Sequence, residues 1–136
     1  MDEIEGIVET AIYADDLDAA EAFYCGVLGL RLIGREAGRH VFFRAGTHGV
    51  LLIFNPATTA QGGTLPPHGA RGPGHFALGV RAGSLDAWRK RLAEHGVAIE
   101  QEVQWPRGGH SIYFRDPAGN LAEILTPGLW GLPSGW

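Results

Sequence analysis

The chain has almost no cysteine: Cys25 is the only one among 136 residues. One thiol cannot close an internal disulfide, so nothing ties the fold to an oxidising compartment, and Cys25 reads as a small buried residue on a helix. Long apolar runs are missing as well. No stretch approaches the ~20 residues that cross a bilayer, and Met1-Asp2-Glu3-Ile4-Glu5 is acidic where a secretory signal would be basic. The expectation is a cytoplasmic protein with no membrane partner. A basic tract is absent too: 11 Lys and Arg stand against 15 Asp and Glu, for a net charge of -4. Scattered charge of that kind cannot follow a phosphate backbone, so nucleic acid is not an expected partner. What remains is a hydrophobic content of 45%, enough for the buried core of one small domain.

That domain is written twice. Ile7 to Tyr13 reads as a strand, and Asp15-Asp16-Leu17-Asp18 offers side-chain oxygens to cap a helix. Asp18 and Glu21 have the spacing of a capping box, and Leu17, Ala20, Phe23, Tyr24, Val27 and Leu28 form an apolar stripe ended by Gly29. Leu30 to Ile33, Arg39 to Arg44 and Val50 to Phe54 follow as strands. Pro, Gly, Thr and Ala then dominate from Asn55 to Pro73, where Gly62-Gly63, Pro66-Pro67 and Gly72-Pro73 argue against any regular element. His75 to Val80 opens the second half, and Ser84 is placed to cap a helix carrying Leu85, Trp88 and Leu92 and closing at His95-Gly96. Val97 to Val103, His110 to Arg115 and Leu121 to Leu125 complete it, the last two joined by a tight turn through Asp116-Pro117-Ala118-Gly119-Asn120. The expected class is α+β: two β-α-β-β-β modules forming a cupped mixed sheet, with the helices outside. Module one is placed at about 7–56, a linker at 57–72, module two at 73–127 and an apolar tail at 128–136.

Alternation along strands places Ile7, Glu9, Ala11 and Tyr13 on one face, and His75, Ala77 and Gly79 on the matching face of the second half. In the last strand Glu123 shares a face with Leu121 and Leu125. A carboxylate within a buried strand is costly unless it is paired or coordinated. If Glu9 and Glu123 share a cavity their charges repel, and a divalent cation held by Glu9, His75 and Glu123 would satisfy both, leaving positions for water or substrate. A metal-free polar cavity and a structural hydrogen-bond network remain the alternatives to that metal site.

Three segments resemble a known family. Tyr13-Ala14-Asp15-Asp16-Leu17 with Ala22-Phe23-Tyr24 and Val27-Leu28-Gly29-Leu30 is the first, and Gly74-His75-Phe76-Ala77-Leu78 the second. The third is Tyr113-Phe114-Arg115-Asp116-Pro117-Ala118-Gly119-Asn120-Leu121-Ala122-Glu123. In this order they resemble the vicinal oxygen chelate superfamily of glyoxalases, fosfomycin-resistance proteins, extradiol dioxygenases and bleomycin-binding proteins. The resemblance implies metal ligands drawn from the first and last strands of each module. Glu9, His75 and Glu123 fall on three such places, and the fourth falls near Leu52, which is no ligand. The four-ligand glyoxalase I pattern is therefore not met, and a lactoylglutathione lyase is disfavoured. Glu9 stands where fosfomycin-resistance enzymes and extradiol dioxygenases of this superfamily carry His. The oxygen-rich set leans to Mn, Mg, Ni or Zn over the Fe of the oxygenases. A homodimer is the state the resemblance implies, and the apolar tail through Trp130 and Trp136 is expected to pack on the body or on a partner subunit.

Around these ligands, Tyr113 shares a face with Ser111 and Arg115 and is the candidate proton carrier beside Glu9 and Glu123. Tyr13 and Arg115 are candidate substrate contacts. Trp105-Pro106-Arg107-Gly108-Gly109-His110 has the aromatic plate, guanidinium and glycines of a substrate-covering loop, with Trp105 and Arg107 as contacts and His110 as a candidate acid or base. The expected activity is that of a metal-dependent lyase, isomerase or transferase acting on a small oxygen-rich molecule. The competing expectation is a non-catalytic protein that binds and sequesters a drug-like or cationic ligand, with an extradiol-type dioxygenase third.

Overall fold

The computed structural model describes residues 2–136. They divide into two units, the first ending at Gly72 and the second spanning Pro73–Trp136. Each is a β-α-β-β-β module with one mixed four-stranded sheet.

In the first unit the ladder begins at β1 (Glu9–Tyr13), two residues later than alternation suggests. Ile7 and Val8 precede it and remain exposed. Asp16 caps α1 (Leu17–Ala22) by accepting from the Ala19 amide at 3.0 Å. The anticipated capping box does not form, because Asp18 and Glu21 both turn to the guanidinium of Arg35. That cation is a stronger partner for two carboxylates than a backbone amide already served by Asp16. The apolar stripe continues past Ala22 as a π-helical turn, Phe23–Val27. Cys25 in that turn is partly exposed and not buried as expected. The wider π turn still points Phe23, Tyr24 and Val27 inward, with the Tyr24 ring 5.4 Å from that of Phe43.

The strands β2 (Arg31–Glu36), β3 (His40–Ala45) and β4 (Gly49–Phe54) complete the sheet in the order β1-β4-β3-β2. β1 runs parallel to β4 and the other pairs are antiparallel. Alternation buries Ile12, Val41, Phe43, Leu51 and Ile53 on the face that receives α1, each such side chain contributing roughly 1.5–3 kcal/mol. The segment after β4 was expected to lack regular structure, yet it contains a short helix, α2 (Pro56–Thr59). Asn55 accepts from the Ala57 amide at 3.0 Å and Pro56 stands in the first turn. Asn-Pro therefore starts a helix here, since proline lacks only a donor that the first turn leaves unused.

The second unit repeats the plan with β5 (His75–Gly79), α3 (Leu85–Glu94), β6 (Gln101–Gln104), β7 (His110–Arg115) and β8 (Leu121–Leu125), ordered β5-β8-β7-β6. Ser84 precedes α3 as anticipated, but its hydroxyl donates to the Arg81 carbonyl at 2.7 Å and not to the helix. β6 starts four residues later than expected, at Gln101. The β7–β8 turn is held by Asp116, which accepts from the amides of Ala118 (3.0 Å) and Asn120 (2.8 Å), with Gly119 at φ +88°. Asn120 in turn accepts from the Gly74 amide at 2.8 Å, fixing the entry to β5. Behind β8 the tail folds back through the Leu132 amide, which donates to the Trp136 carbonyl at 2.8 Å. The Trp136 indole lies on Gly79, where an added Cβ would stand 2.7 Å from its Cζ2. Trp136 thus packs on its own unit as expected for the tail, whereas Trp130 and Leu132 are exposed.

The two sheets share one register. Ala11, Leu52 and Phe42 form a rung in the first, and Ala77, Glu123 and Tyr113 form the same rung in the second. Glu9 opposes Val50 as His75 opposes Leu121, so the expected correspondence of Glu9 and His75 holds.

Candidate functional site

In the second unit the face of the sheet that carries His75 and Ala77 also carries Glu123, Ser111 and Tyr113, because residues opposed across a ladder share a face. Glu123 is 6% exposed, while the imidazole of His75 is half exposed. His75 Nε2 lies 3.4 Å from Glu123 Oε2. The other imidazole nitrogen, Nδ1, is 2.9 Å from the Leu121 carbonyl oxygen. A carbonyl can only accept, so Nδ1 carries the hydrogen, and in the neutral ring the lone pair sits on Nε2, facing the carboxylate.

The second carboxylate oxygen is held from below. Ser111, fully buried, donates its hydroxyl to Glu123 Oε1 at 2.5 Å and accepts from the Trp105 indole N–H at 2.8 Å. The Tyr113 hydroxyl also meets Glu123 and Ser111, and burial together with the carboxylate raises the phenol above its ordinary value of 10.0. The rings of Tyr113 and His75 are 6.2 Å apart.

An imidazole nitrogen and a carboxylate oxygen 3.4 Å apart suit a shared cation. Bonds of about 2.1 Å meeting at 90–109° separate two donor atoms by about 3.0–3.4 Å. The Nδ1–H to carbonyl bond is the outer hydrogen bond that metal-bound histidines characteristically make. Among the described residues no group of three or more His, Cys, Asp or Glu side chains gathers as a metal cage. His75 and Glu123 are brought together in the second unit, and Glu9 lies exposed at the start of β1 in the first.

Other anticipated residues take different positions. His110 projects from the opposite face of β7, where its Nε2 donates to Glu102 at 3.0 Å and Arg89 also binds Glu102. It cannot serve as acid or base on the Glu123 face, since it and Ser111 are consecutive and alternate. Arg89 and His110 hold the Glu102 carboxyl below its ordinary value. Arg115 keeps the Ser111 and Tyr113 face but pairs with Glu100 at 2.7 Å. Trp105 meets Ser111 with its N–H, and Arg107 is exposed. The glycines beside them do not loosen the loop. A Cβ at Gly109 would stand 2.9 Å from the Thr126 carbonyl oxygen, and one at Gly128 3.2 Å from Gly108, so backbone packs directly on backbone.

The same face of the first sheet is aromatic. Phe42 and His40 stack at 3.8 Å, Phe54 meets Phe42 edge-on at 5.3 Å and His68 at 4.6 Å, and Tyr13 shares a hydrogen bond with His68 at 2.8 Å. Arg39 donates to His40 Nδ1 at 2.8 Å and lies over Phe54. Burial and that guanidinium hold the His40 imidazole below 6.5. A cleft of about 420 Å³ lined by Glu36, Arg39, Thr58, Leu65 and His68 adjoins this set.

Sequence reasoning placed Ser111 on this face without assigning it a role, and it passed over His40 and His68. The parity of Ser111 with Tyr113, opposite a buried glutamate, was the available signal. For His68, lying beyond α2 in an irregular segment, no sequence signal existed.

Comparison with known proteins extends this geometry. The profile of the glyoxalase/bleomycin resistance protein/dioxygenase superfamily matches residues 6–124. The crystal structure of lactoylglutathione lyase from Agrobacterium tumefaciens is 41% identical, with a TM-score of 0.90 over 96% of this chain and 99% of that one. A glyoxalase/bleomycin resistance protein/dioxygenase from Nocardioides shares the fold at 22% identity and a TM-score of 0.71, over 100% of this chain and 91% of that one. The putative ring-cleaving dioxygenase MhqE of Bacillus subtilis is 28% identical over 113 residues, 77% of this chain and 36% of that protein. The metallothiol transferase FosB of Shouchella clausii is 43% identical over 54 residues, 38% of this chain and 37% of that protein. The aligned segments span little more than a third of those two curated relatives. No helix among the described residues is long and apolar enough to cross a membrane. With a family match running through both modules, the chain belongs to the glyoxalase/bleomycin resistance protein/dioxygenase superfamily.

Proposed function

We propose that the protein is a divalent-metal-dependent enzyme, a lyase, isomerase or transferase that moves a proton on a small substrate with neighbouring oxygens. The observation that carries this is the 3.4 Å approach of His75 Nε2 to Glu123 Oε2, with Nδ1 anchored on Leu121. His75 and Glu123, both in the second unit, would hold the ion. A bound divalent ion supplies Lewis-acid stabilisation of negative charge developing on substrate oxygens. Tyr113, beside Glu123, is positioned to donate a hydrogen bond or exchange a proton at its hydroxyl. The protein similar at 41% identity is a lactoylglutathione lyase, which makes lactoylglutathione the first compound to assay. Leu52 argues against a four-ligand version of that chemistry, since it supplies an aliphatic side chain where the repeat has Glu123.

The test is the metal content of the purified protein under saturating supply, compared with Glu9→Ala and Glu123→Ala. Stoichiometric metal in the parent and its loss from Glu123→Ala is the expected result, whereas equally little metal in all three overturns the reading. A second reading, sequestration of a planar or cationic molecule, is favoured by the Tyr13, Phe42, Phe54 and His68 rings beside the cleft at Arg39. Tight binding of an intact ligand without turnover would establish it. A homodimer is the expected assembly, to be read from sedimentation.

A further inference from the structure

We infer that Ser111, itself held by Trp105, is a positioning residue that fixes how Glu123 presents its carboxylate. The inference rests on the reading of His75 and Glu123 as metal ligands. A carboxylate can bind an ion through one oxygen or both, and a side chain on a strand is free to turn between the two unless one oxygen is engaged elsewhere. Here Oε1 is engaged: the Ser111 hydroxyl donates to it at 2.5 Å. The charge on the acceptor makes this a strong hydrogen bond. Oε2 is left facing His75 Nε2.

The serine hydroxyl has a single hydrogen, and its direction is what matters. Trp105 removes the ambiguity, because an indole N–H can only donate and does so to Ser111 Oγ at 2.8 Å. With that lone pair occupied, the hydroxyl hydrogen goes to an acceptor, and of the two groups it meets, Glu123 Oε1 at 2.5 Å and the Tyr113 hydroxyl, the charged carboxylate is the stronger one. Ser111 is fully buried, so water does not compete for it. Trp105 is in turn fixed, since its loop is closed by the Trp105 amide on the Gly109 carbonyl (3.1 Å) and by the Gly108 amide on the Trp105 carbonyl (3.1 Å). The chain of donors therefore runs from a rigid loop through one serine to one oxygen of the proposed ligand.

Removing a hydrogen-bond partner of a metal ligand typically weakens metal binding about 10–100-fold. The experiment titrates cobalt(II) into the metal-free full-length parent and Ser111→Ala, recording affinity and visible absorption spectrum, together with the thermal melt of each metal-free protein. The expected result is an affinity about 10–100-fold weaker and an altered spectrum for Ser111→Ala, with a metal-free protein that still unfolds cooperatively and melts only the few degrees lower that one orphaned indole N–H costs. Unchanged affinity and spectrum in Ser111→Ala would overturn the positioning role while leaving the metal site in place. Metal binding lost in step with a collapsed metal-free melt would also overturn it, making the serine structural. A parent that takes up no cobalt would overturn the metal reading itself and the inference with it.

Discussion

Leu52 occupies in the first sheet the rung that Glu123 occupies in the second, between Ala11 and Phe42 where Glu123 stands between Ala77 and Tyr113. The backbone positions are equivalent and the chemistry is not, since Phe42 has no hydroxyl where Tyr113 does.

Leu52→Glu should therefore be destabilising and not a restored ligand. Leu52 is 8% exposed, with a stacked Phe42 beside it in place of a donor. An ionised carboxylate there should cost about 2–4 kcal/mol. Urea denaturation should show this loss at neutral pH and a smaller one near pH 4, where the carboxyl is neutral.

Glu123→Gln separates charge from shape. The amide oxygen still accepts from Ser111, so the stability of the metal-free protein should stay within about 1 kcal/mol of the parent. Metal affinity should fall about 100-fold or more, beyond what loss of an outer hydrogen bond costs. Calorimetric titration and a melt in chelator check the two halves of this outcome.

His40 gives stability a pH dependence. Its folded-state value is depressed by burial and by Arg39, with Glu36 opposing weakly. The unfolded chain therefore binds more protons, and the contribution of His40 is present above pH 6.5 and lost as pH falls towards the depressed folded value. Parent minus His40→Phe stability, measured by denaturation from pH 5 to pH 8, should decrease towards acid. An equal difference at all pH values would refute this assignment.

Asp116 ties the β7–β8 turn to the rest of the unit. It is buried and accepts from the Ala118 and Asn120 amides and from the Asn120 side chain at 3.0 Å, and Asn120 holds Gly74. Asp116→Ala should cost about 2–4 kcal/mol by orphaning these donors, as read from the denaturation midpoint.

Gly79→Ala should cost about 1–3 kcal/mol by overpacking against the Trp136 indole. Trp136→Ala in the same chain should recover part of that loss. A double-mutant cycle on thermal stability measures the coupling.

Much of this fold was legible in the sequence because strands announce themselves by alternation. β7 and β8 begin and end where their apolar pattern does, and the equivalence of Glu9 in the first sheet to His75 in the second follows from the repeat. The errors arose where a residue had two possible partners. Asp18 and Glu21 fit a capping box locally but met Arg35 from a strand well along the chain, and Ser84 bonded backwards to Arg81. The breakers at Gly62-Gly63, Pro66-Pro67 and Gly72-Pro73 argue against regular structure over the whole segment from Asn55, although Asn55-Pro56 at its start opens a short helix. At the site, His75 and Glu123 could be found from parity and charge. The link from Trp105 through Ser111 depends on a loop path that periodicity does not encode.

The contact of Gly108 and Gly109 with the Thr126–Leu129 backbone has a consequence for engineering. With backbone seated on backbone, the loop from Trp105 to Gly109 and the segment leaving β8 behave as one rigid bracket. Pro106 and Arg107 at its exposed tip can then be exchanged for other chemistry without altering the path that holds Trp105. The bracket is thus a place where the exposed side chains can be varied while the backbone path beneath them stays fixed.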